Sequence, residues 1–362
     1  MPRSPVMPPG RVDRSRAPAV RGRGTSFGRS WPGENRWPTG QVPPVRSALM
    51  EREERRLSPE SRAVREIATA HGVAWESVRP SPVQGEAARV WLLGGEWVLK
   101  VAREGFANDL RKEALVIPFA VRRGVRTPAL LDRGELPLPW LLMRRVPGGP
   151  ADEGEPGDAG LRALGRELAA LHSAEVPDEV RAGVPADGSD DPRAGIEGLA
   201  GRGYLSPALA DWLGRWLDRL DGARDKPARA TLIHGDIAAG NLLFAEDGSL
   251  TALLDWGDAA WADPAMEFAK VPPRRLPPVL TGYLDDGSPE GPRTLAERGP
   301  GLVAGVLWHQ LSWAVLRLAD QPRPDGAHWS AQPANRLLEL LRLYAEELPE
   351  PWAGWMRSQR LP

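Results

Sequence analysis

The segment that most restricts what this 362-residue chain can fold into is a short hairpin with a polar residue at each end. Residues 241–244 (Asn-Leu-Leu-Phe) and 250–254 (Leu-Thr-Ala-Leu-Leu) read as two strands, and Asp247-Gly248 between them supplies the positive φ that a tight turn needs. So short a hairpin brings its ends together, which makes Asn241 and Asp255 expected neighbours. Asp236 stands five residues ahead of Asn241, in His234-Gly235-Asp236, directly after another β-like run, Thr231-Leu232-Ile233. Two carboxylates and an amide are therefore expected to converge at the ends of short strands.

That convergence suits phosphoryl transfer. The reaction has a loose transition state with little covalent work for the protein, so catalysis reduces to aligning the attacking oxygen and neutralising phosphate charge. Asp236 would accept the proton of an acceptor hydroxyl or orient that hydroxyl. Asn241 and Asp255 would present hard oxygens to Mg2+, which keeps most of its coordination for phosphates and water. His234 fits better as a prop of the loop through hydrogen bonds than as a titrating group.

Lys100 is the second anchor. Alternation in Trp97-Val98-Leu99-Lys100-Val101 puts Val98 and Lys100 on one face of a strand and Leu99 and Val101 on the other. Glu113, beside Leu110 and Ala114 on a helix, can pair with its ammonium and leave it against the α- and β-phosphates of a nucleotide. Alone, Lys100 reads as an edge-strand charge and Glu113 as an ordinary helix-surface glutamate; the motif at 234–255 is what favours the pairing. Gly85, in Gln84-Gly85-Glu86-Ala87, marks the one place for a phosphate-covering loop, with a single glycine as its signal. No Walker-type glycine-lysine pattern occurs.

The rest of the chain arranges itself around these residues. Residues 1–46 carry nine arginines against two acidic residues and no apolar periodicity, so they are expected to be disordered. Two readings of that stretch stand: an arm for nucleic acid, or an upstream start with Met50 as the true one. A first lobe is expected over 47–146: a helix over 59–70, strands at 75–78, 88–93 and 97–101 with a Gly94-Gly95 turn, a helix bearing Leu110, Ala114 and Ile117 that Pro118 should end or kink, and strands near 129–131 and 140–143. Pro147-Gly148-Gly149-Pro150 reads as a hinge. A mostly helical second lobe follows over 151–362. Asp158 should cap a helix with Leu161, Leu164, Leu168 and Leu171 on one face, and a polar loop over 177–193 should precede a helix over 207–220. Later stripes fall at Leu307, Leu311, Val315 and Leu318, and at Leu337, Leu341 and Tyr344.

Charge and composition narrow the partners. The formal net charge of -1 divides into +7 for residues 1–46 and -8 for the remainder. An acidic body argues against nucleic acid as the main ligand and suits either a cationic acceptor or plain solubility. No apolar run is expected to approach the roughly 18 residues of a membrane span. The chain has no cysteine, which excludes disulfides and thiolate metal sites, and with no secretory pattern visible a cytoplasmic location is expected.

The ordered set resembles the aminoglycoside phosphotransferase and choline kinase superfamily, whose signature is His-Gly-Asp with Asn five residues after the Asp, then Asp-x-Gly reaching Asp-Pro. His234 to Asn241 and Asp255-Trp256-Gly257 through Asp263-Pro264 match both halves, and Lys100, Glu113 and the 142–149 linker fall in order, so the resemblance covers about 47–347. It implies an α+β, bilobal protein-kinase-like fold: a small lobe with an antiparallel sheet and one main helix, and a larger, mostly helical lobe. It also implies ATP or GTP as donor, Mg2+, and a small hydroxylated molecule as acceptor. Two departures stand out. Glu267 occupies a position where the family often has aspartate, and the loop at Gly85 is poor in glycine, which favours the alternative of a nucleotide-binding protein without turnover. Asp263 is expected to support structure more than catalysis. Acidic clusters at 152–155, 190–191 and 285–286, together with the tryptophans of the second lobe, could meet an amino-sugar, or simply face solvent and core. The sequence leaves the acceptor and the oligomeric state open.

Overall fold

The computed structural model describes residues 58–135, 137–151, 156–187, 191–285, 299–320 and 332–345. The Arg-rich stretch over 1–46 lies outside them.

The first lobe opens with α1 (Pro59–Ala70), where the Ser58 hydroxyl accepts the Ser61 N–H at 3.1 Å and a proline takes the first turn. Strands β1 (Val78–Pro80), β2 (Ala88–Leu93), β3 (Trp97–Ala102), β4 (Leu130–Gly134) and β5 (Trp140–Arg144) form a five-stranded antiparallel sheet in the order β1-β2-β3-β5-β4. The alternation read from the sequence decides its two faces. Leu93, Leu99, Val101 and Leu142 pack on Val64, Ile67 and Ala68 of α1, while Lys100, paired across the ladder with Leu141, belongs to the opposite face. That face receives α2 (Ala107–Arg122), the one long helix between β3 and β4.

Two expectations fail here for local reasons. Residues 75–78 are not a strand: Trp75–Ser77 is a 3-10 turn, because the Ser77 backbone N–H and hydroxyl both donate to the Ala74 carbonyl, at 3.0 and 2.7 Å, and the strand starts only at Val78. Pro118 does not end α2, which runs four residues further. An interior proline costs about 3 kcal/mol, whereas burying Val116, Ile117 and Phe119 returns about 1.5–3 kcal/mol each. Tertiary burial wins.

The expected hinge is clamped rather than free. Gly149–Pro150 forms a two-residue strand, β6, paired with Phe244 and Leu243 of the motif hairpin. Gly148 has φ 125, and a Cβ there would meet Thr251 Oγ1 at 2.7 Å and the Phe244 carbonyl at 2.8 Å, so only glycine lets the chain pass.

In the second lobe, α3 (Asp158–His172) buries Leu161, Leu164, Leu168 and Leu171 as its periodicity predicts. Its cap is Gly157, one residue before the expected Asp158, which instead sits in the first turn where its charge meets the helix dipole. The expected polar loop over 177–193 contains α4 (Asp178–Gly183) and the start of α5 (Pro192–Gly201), the latter capped by Asp191, whose carboxylate accepts the Arg193 N–H at 2.9 Å. Next come α6 (Pro207–Ala223) and the strands β7 (Thr231–Ile233), β8 (Leu242–Phe244), β9 (Leu250–Leu253) and β10 (Ala260–Ala262). β8 and β9 make the predicted hairpin, and β7 pairs with β10, so the strand entering the motif is held by the strand leaving it.

The helices α7 (Leu276–Tyr283), α8 (Pro300–Leu316) and α9 (Asn335–Ala345) complete the described lobe. In α9, Leu340 and Arg336 take the buried positions while Leu337 and Leu341 are half-buried, a face rotated from the predicted stripe; the side chain of Tyr344 is outside the described residues. The expectation of no membrane-length apolar run also needs correction. Pro300–Ala319 spans 20 residues and contains an 18-residue window of mean hydropathy 1.3, long and apolar enough by length and composition. Gly301, Gly305, His309 and Gln310 interrupt the pattern in sequence, but Val303, Ala304, Val306, Leu307, Leu311, Ala314 and Val315 are all buried, as in a core helix surrounded by protein.

Candidate active site

The turn after β7 is built around glycine and one buried carboxylate. Gly235 has φ 82, and a Cβ on it would lie 2.4 Å from the Asp258 carbonyl, so no other residue fits between the two segments. Glu267 is buried; its Oε2 accepts the His234 N–H at 2.7 Å and its Oε1 the Gly235 N–H at 3.0 Å. His172 Nε2 lies 3.0 Å from the same Oε2, and His172 Nδ1 lies 2.9 Å from the Tyr283 hydroxyl. Burial works against the charge of Glu267, but these partners overcome it and hold its pKa below the ordinary glutamate value. The residue that departs from the family's usual aspartate is thus the one that fixes the loop backbone.

His234 is buried with both ring nitrogens committed. Nδ1 lies 3.1 Å from the Asp236 N–H and must accept from it; Nε2 lies 2.9 Å from the Leu254 carbonyl and must donate to it. The Trp256 ring meets the imidazole edge-on at 4.6 Å. The histidine therefore ties the start of the motif to the end of β9 and fixes where Asp236 sits.

Asn241 Nδ2 donates to the Asp236 carbonyl at 3.0 Å and to Asp236 Oδ2 at 2.6 Å. Spending the amide NH2 on Asp236 sets the amide's orientation and makes its oxygen the end available as a ligand. The other Asp236 oxygen, Oδ1, is 2.8 Å from Lys270 Nζ, which also bonds Asp258 Oδ2 at 3.1 Å. Burial opposes the charge on Lys270, yet Asp236 and Asp258 outweigh it and hold its pKa above the ordinary lysine value.

Asp255, two residues past the end of β9, sits at φ 67 and ψ 78, the one non-glycine positive φ among the described residues. Such a conformation costs of order 1–3 kcal/mol and persists only where its surroundings require it. Here Asp255 Oδ1 reaches Lys100 Nζ at 2.9 Å, and the same ammonium meets Glu113 at 2.8 and 3.0 Å. Lys100 thereby bridges the two lobes. Burial opposes its charge, but Glu113 and Asp255 keep its pKa above the ordinary lysine value, and the lysine in turn offsets burial to hold Asp255 below the ordinary aspartate value. Trp256 strengthens the junction through its indole N–H, which donates to Thr127 Oγ1 at 3.0 Å.

The remaining expected residues fall elsewhere. The Gly85 carbonyl accepts from Arg103 Nε at 3.2 Å, and its loop is laced by Gln84, which donates to the Ser81 and Val90 carbonyls at 2.8 and 2.9 Å and accepts the Val90 N–H at 3.0 Å. The structure joins Gly85 to Arg103 rather than to Lys100 or Asp255. Asp263 caps the 3-10 turn Pro264–Phe268 through the Ala265 N–H at 2.9 Å and bonds Arg224 at 2.9 Å and His309 at 3.2 Å. Of the acidic clusters, 152–155, 190 and 286 lie outside the described residues, as do the second-lobe tryptophans Trp329, Trp352 and Trp355. Asp191 serves as a cap, and Asp285 lies 3.8 Å from Arg166.

Sequence reasoning missed Lys270, which lies beyond both halves of the motif; its one signal was a lysine set in the apolar run Phe268-Ala269-Lys270-Val271. Among the described residues no group of three or more His, Cys, Asp or Glu side chains could hold a metal ion. Mg2+ asks for less: one or two protein oxygens beside phosphates and water. The Asn241 amide oxygen and the Asp255 carboxylate fit that demand.

Comparison with known proteins supplies the family and the fold. The model of the Phosphotransferase enzyme family matches residues 79–298. A curated relative, the uncharacterized protein YcbJ of Bacillus subtilis strain 168, is 30% identical over 119 residues, 32% of this chain, and the match spans 39% of that protein's length. Similar solved structures include the GDP complex of aminoglycoside 2'-phosphotransferase-IIIa, at 21% identity and TM-score 0.55 over 79% of this chain and 98% of that one. The macrolide 2'-phosphotransferase MphH of Brachybacterium faecium aligns at 22% identity and TM-score 0.52, over 83% of this chain and 98% of its own. A streptomycin-ATP ternary complex of APH(2")-IIa aligns at 16% identity and TM-score 0.51, over 72% and 91%.

Proposed function

This chain belongs to the phosphotransferase enzyme family, and from that premise we propose that it transfers the γ-phosphate of ATP to a hydroxyl of a small molecule with the help of Mg2+. The observation that carries the reading is the bonded pair of Asp236 and Asn241, tied through the His234 ring to the chain end that carries Asp255, with Lys100 bonded to both Asp255 and Glu113. Solved relatives named with GDP and with ATP support a nucleotide donor, and those named with aminoglycoside or macrolide substrates support a hydroxylated small-molecule acceptor.

In this mechanism the acceptor hydroxyl binds at Asp236, whose position is set by Asn241 and by the His234 ring. The acceptor oxygen bonds to the γ-phosphorus as the bond from phosphorus to the β,γ-bridging oxygen breaks. The hydroxyl proton passes to Asp236, and ADP leaves with the bridging oxygen's electron pair. Lys100, kept charged by its two carboxylates, lies against the α- and β-phosphates. Asn241 and Asp255 would hold Mg2+, which when bound draws charge from the β- and γ-phosphates. Replacing Asp236 by Asn keeps the side-chain shape and removes the proton acceptor. With an acceptor found by screening hydroxylated metabolites and antibiotics for ADP release, Asp236→Asn is expected to lose about 10²–10⁴-fold in rate; turnover at the wild-type level would refute the assignment.

One observation favours a second reading. The loop over 81–87 contains one glycine, a sparse complement for a phosphate-covering loop, which is the ground for a nucleotide-binding protein without turnover. In that case ATP would raise the melting temperature while no acceptor yields ADP.

A further inference from the structure

Lys270 belongs to neither half of the motif, yet its ammonium touches the proposed base directly, 2.8 Å from Asp236 Oδ1, with Asp258 Oδ2 at 3.1 Å on its other side. Building on the phosphotransferase reading above, we propose that Lys270 is a further catalytic residue, whose N–H meets the equatorial oxygens of the phosphoryl group as it passes to the acceptor.

Distances favour this role. A hydroxyl giving its proton to Asp236 sits about 2.6–3.2 Å from a carboxylate oxygen, and its oxygen stands about 3–3.5 Å from the phosphorus it attacks. The phosphorus then comes within roughly 6–7 Å of Asp236, and its oxygens come closer. The Lys270 ammonium, 2.8 Å from that carboxylate, stands within the same radius. An ammonium has three N–H donors; two point at Asp236 and Asp258, and the third can be given to phosphate.

Charge points the same way. Glu113, Asp255, Asp236 and Asp258 present four carboxylates around the two ammonium groups of Lys100 and Lys270. Before Mg2+ is counted, an incoming terminal phosphate meets more carboxylates than ammonium groups, and Lys100 is already shared between Glu113 and Asp255. Lys270 is the cation in contact with the residue where the new bond forms. A donor placed where charge develops in transfer contributes far more to the transition state than a partly exposed ion pair contributes to folding.

The test separates the phosphoryl group from the rest of the nucleotide. Binding of Mg-ADP alone and of Mg-ADP with aluminium fluoride, a mimic of the phosphoryl group in transit, is measured by titration calorimetry for the wild type, Lys270→Met and Lys270→Arg. The wild type should bind ADP at least about tenfold tighter with the fluoride complex present. Lys270→Met should keep its ADP affinity and lose that gain, and Lys270→Arg should retain part of it. A gain that survives in Lys270→Met, or no gain in a wild type that binds Mg-ADP, would overturn the proposal. A wild type that does not bind Mg-ADP at all would instead overturn the nucleotide reading on which it rests. If Lys270→Met fails to bind ADP, Lys270→Gln, neutral yet able to donate to both carboxylates, carries the same comparison. Loss of ADP binding in both would assign Lys270 to holding the fold and sink the proposal.

Discussion

At the scale of single residues, each polar atom around the motif has few alternative partners. Glu267 illustrates this, since its two oxygens hold the backbone N–H groups of His234 and Gly235 while also facing His172. Glutamine there offers one accepting oxygen and one NH2, so one loop N–H is left facing a donor. Glu267→Gln should therefore cost about 1–3 kcal/mol for the unsatisfied group, read as a lowered midpoint in chemical denaturation; an unchanged midpoint would mean that the loop is not held this way. The sequence made Asp236, Asn241, Asp255 and His234 legible because their spacing is dictated by local chain geometry. Lys270 was not legible, because its approach to Asp236 depends on how a turn beyond the motif folds back, which no short-range spacing encodes. Gly85 was read from residue type alone, and what the structure adds is the bracing of its loop by Gln84 and Arg103.

At the scale of elements, periodicity gave correct results where a segment buries one face and misled where another term outweighed it. The strands Ala88–Leu93 and Trp97–Ala102 and the helix face of Leu161, Leu164, Leu168 and Leu171 follow directly from alternation and 3.6-residue spacing. Pro118 and Trp75–Ser77 do not, since burial overrides the first and a serine hydrogen bond captures the second. The linker is the element with most at stake. β6 docks it on the motif hairpin, and Gly148 is the point where the two backbones nearly touch. Gly148→Ala would force a Cβ into the Phe244 carbonyl at a φ that alanine resists, so a loss of about 1–3 kcal/mol is expected. Its signature is a lowered melting temperature; a variant as stable as the wild type would show that the linker can move off the hairpin at little cost.

At the scale of the whole molecule, the two lobes share one polar junction. Lys100 from the small lobe's sheet and Glu113 from its helix meet Asp255 from the large lobe, so the junction of the lobes is also where the proposed metal and nucleotide groups gather. The left-handed backbone at Asp255 is held at that junction. If this is the site, Asp255 does two things at once: it anchors Lys100 and presents an oxygen to Mg2+. The most direct measurement is the affinity for ATP, with and without Mg2+, of the wild type and of Asp255→Asn. The account predicts that Mg2+ tightens ATP binding to the wild type and that Asp255→Asn abolishes most of this tightening; ATP binding that depends on Mg2+ equally in both proteins would contradict it.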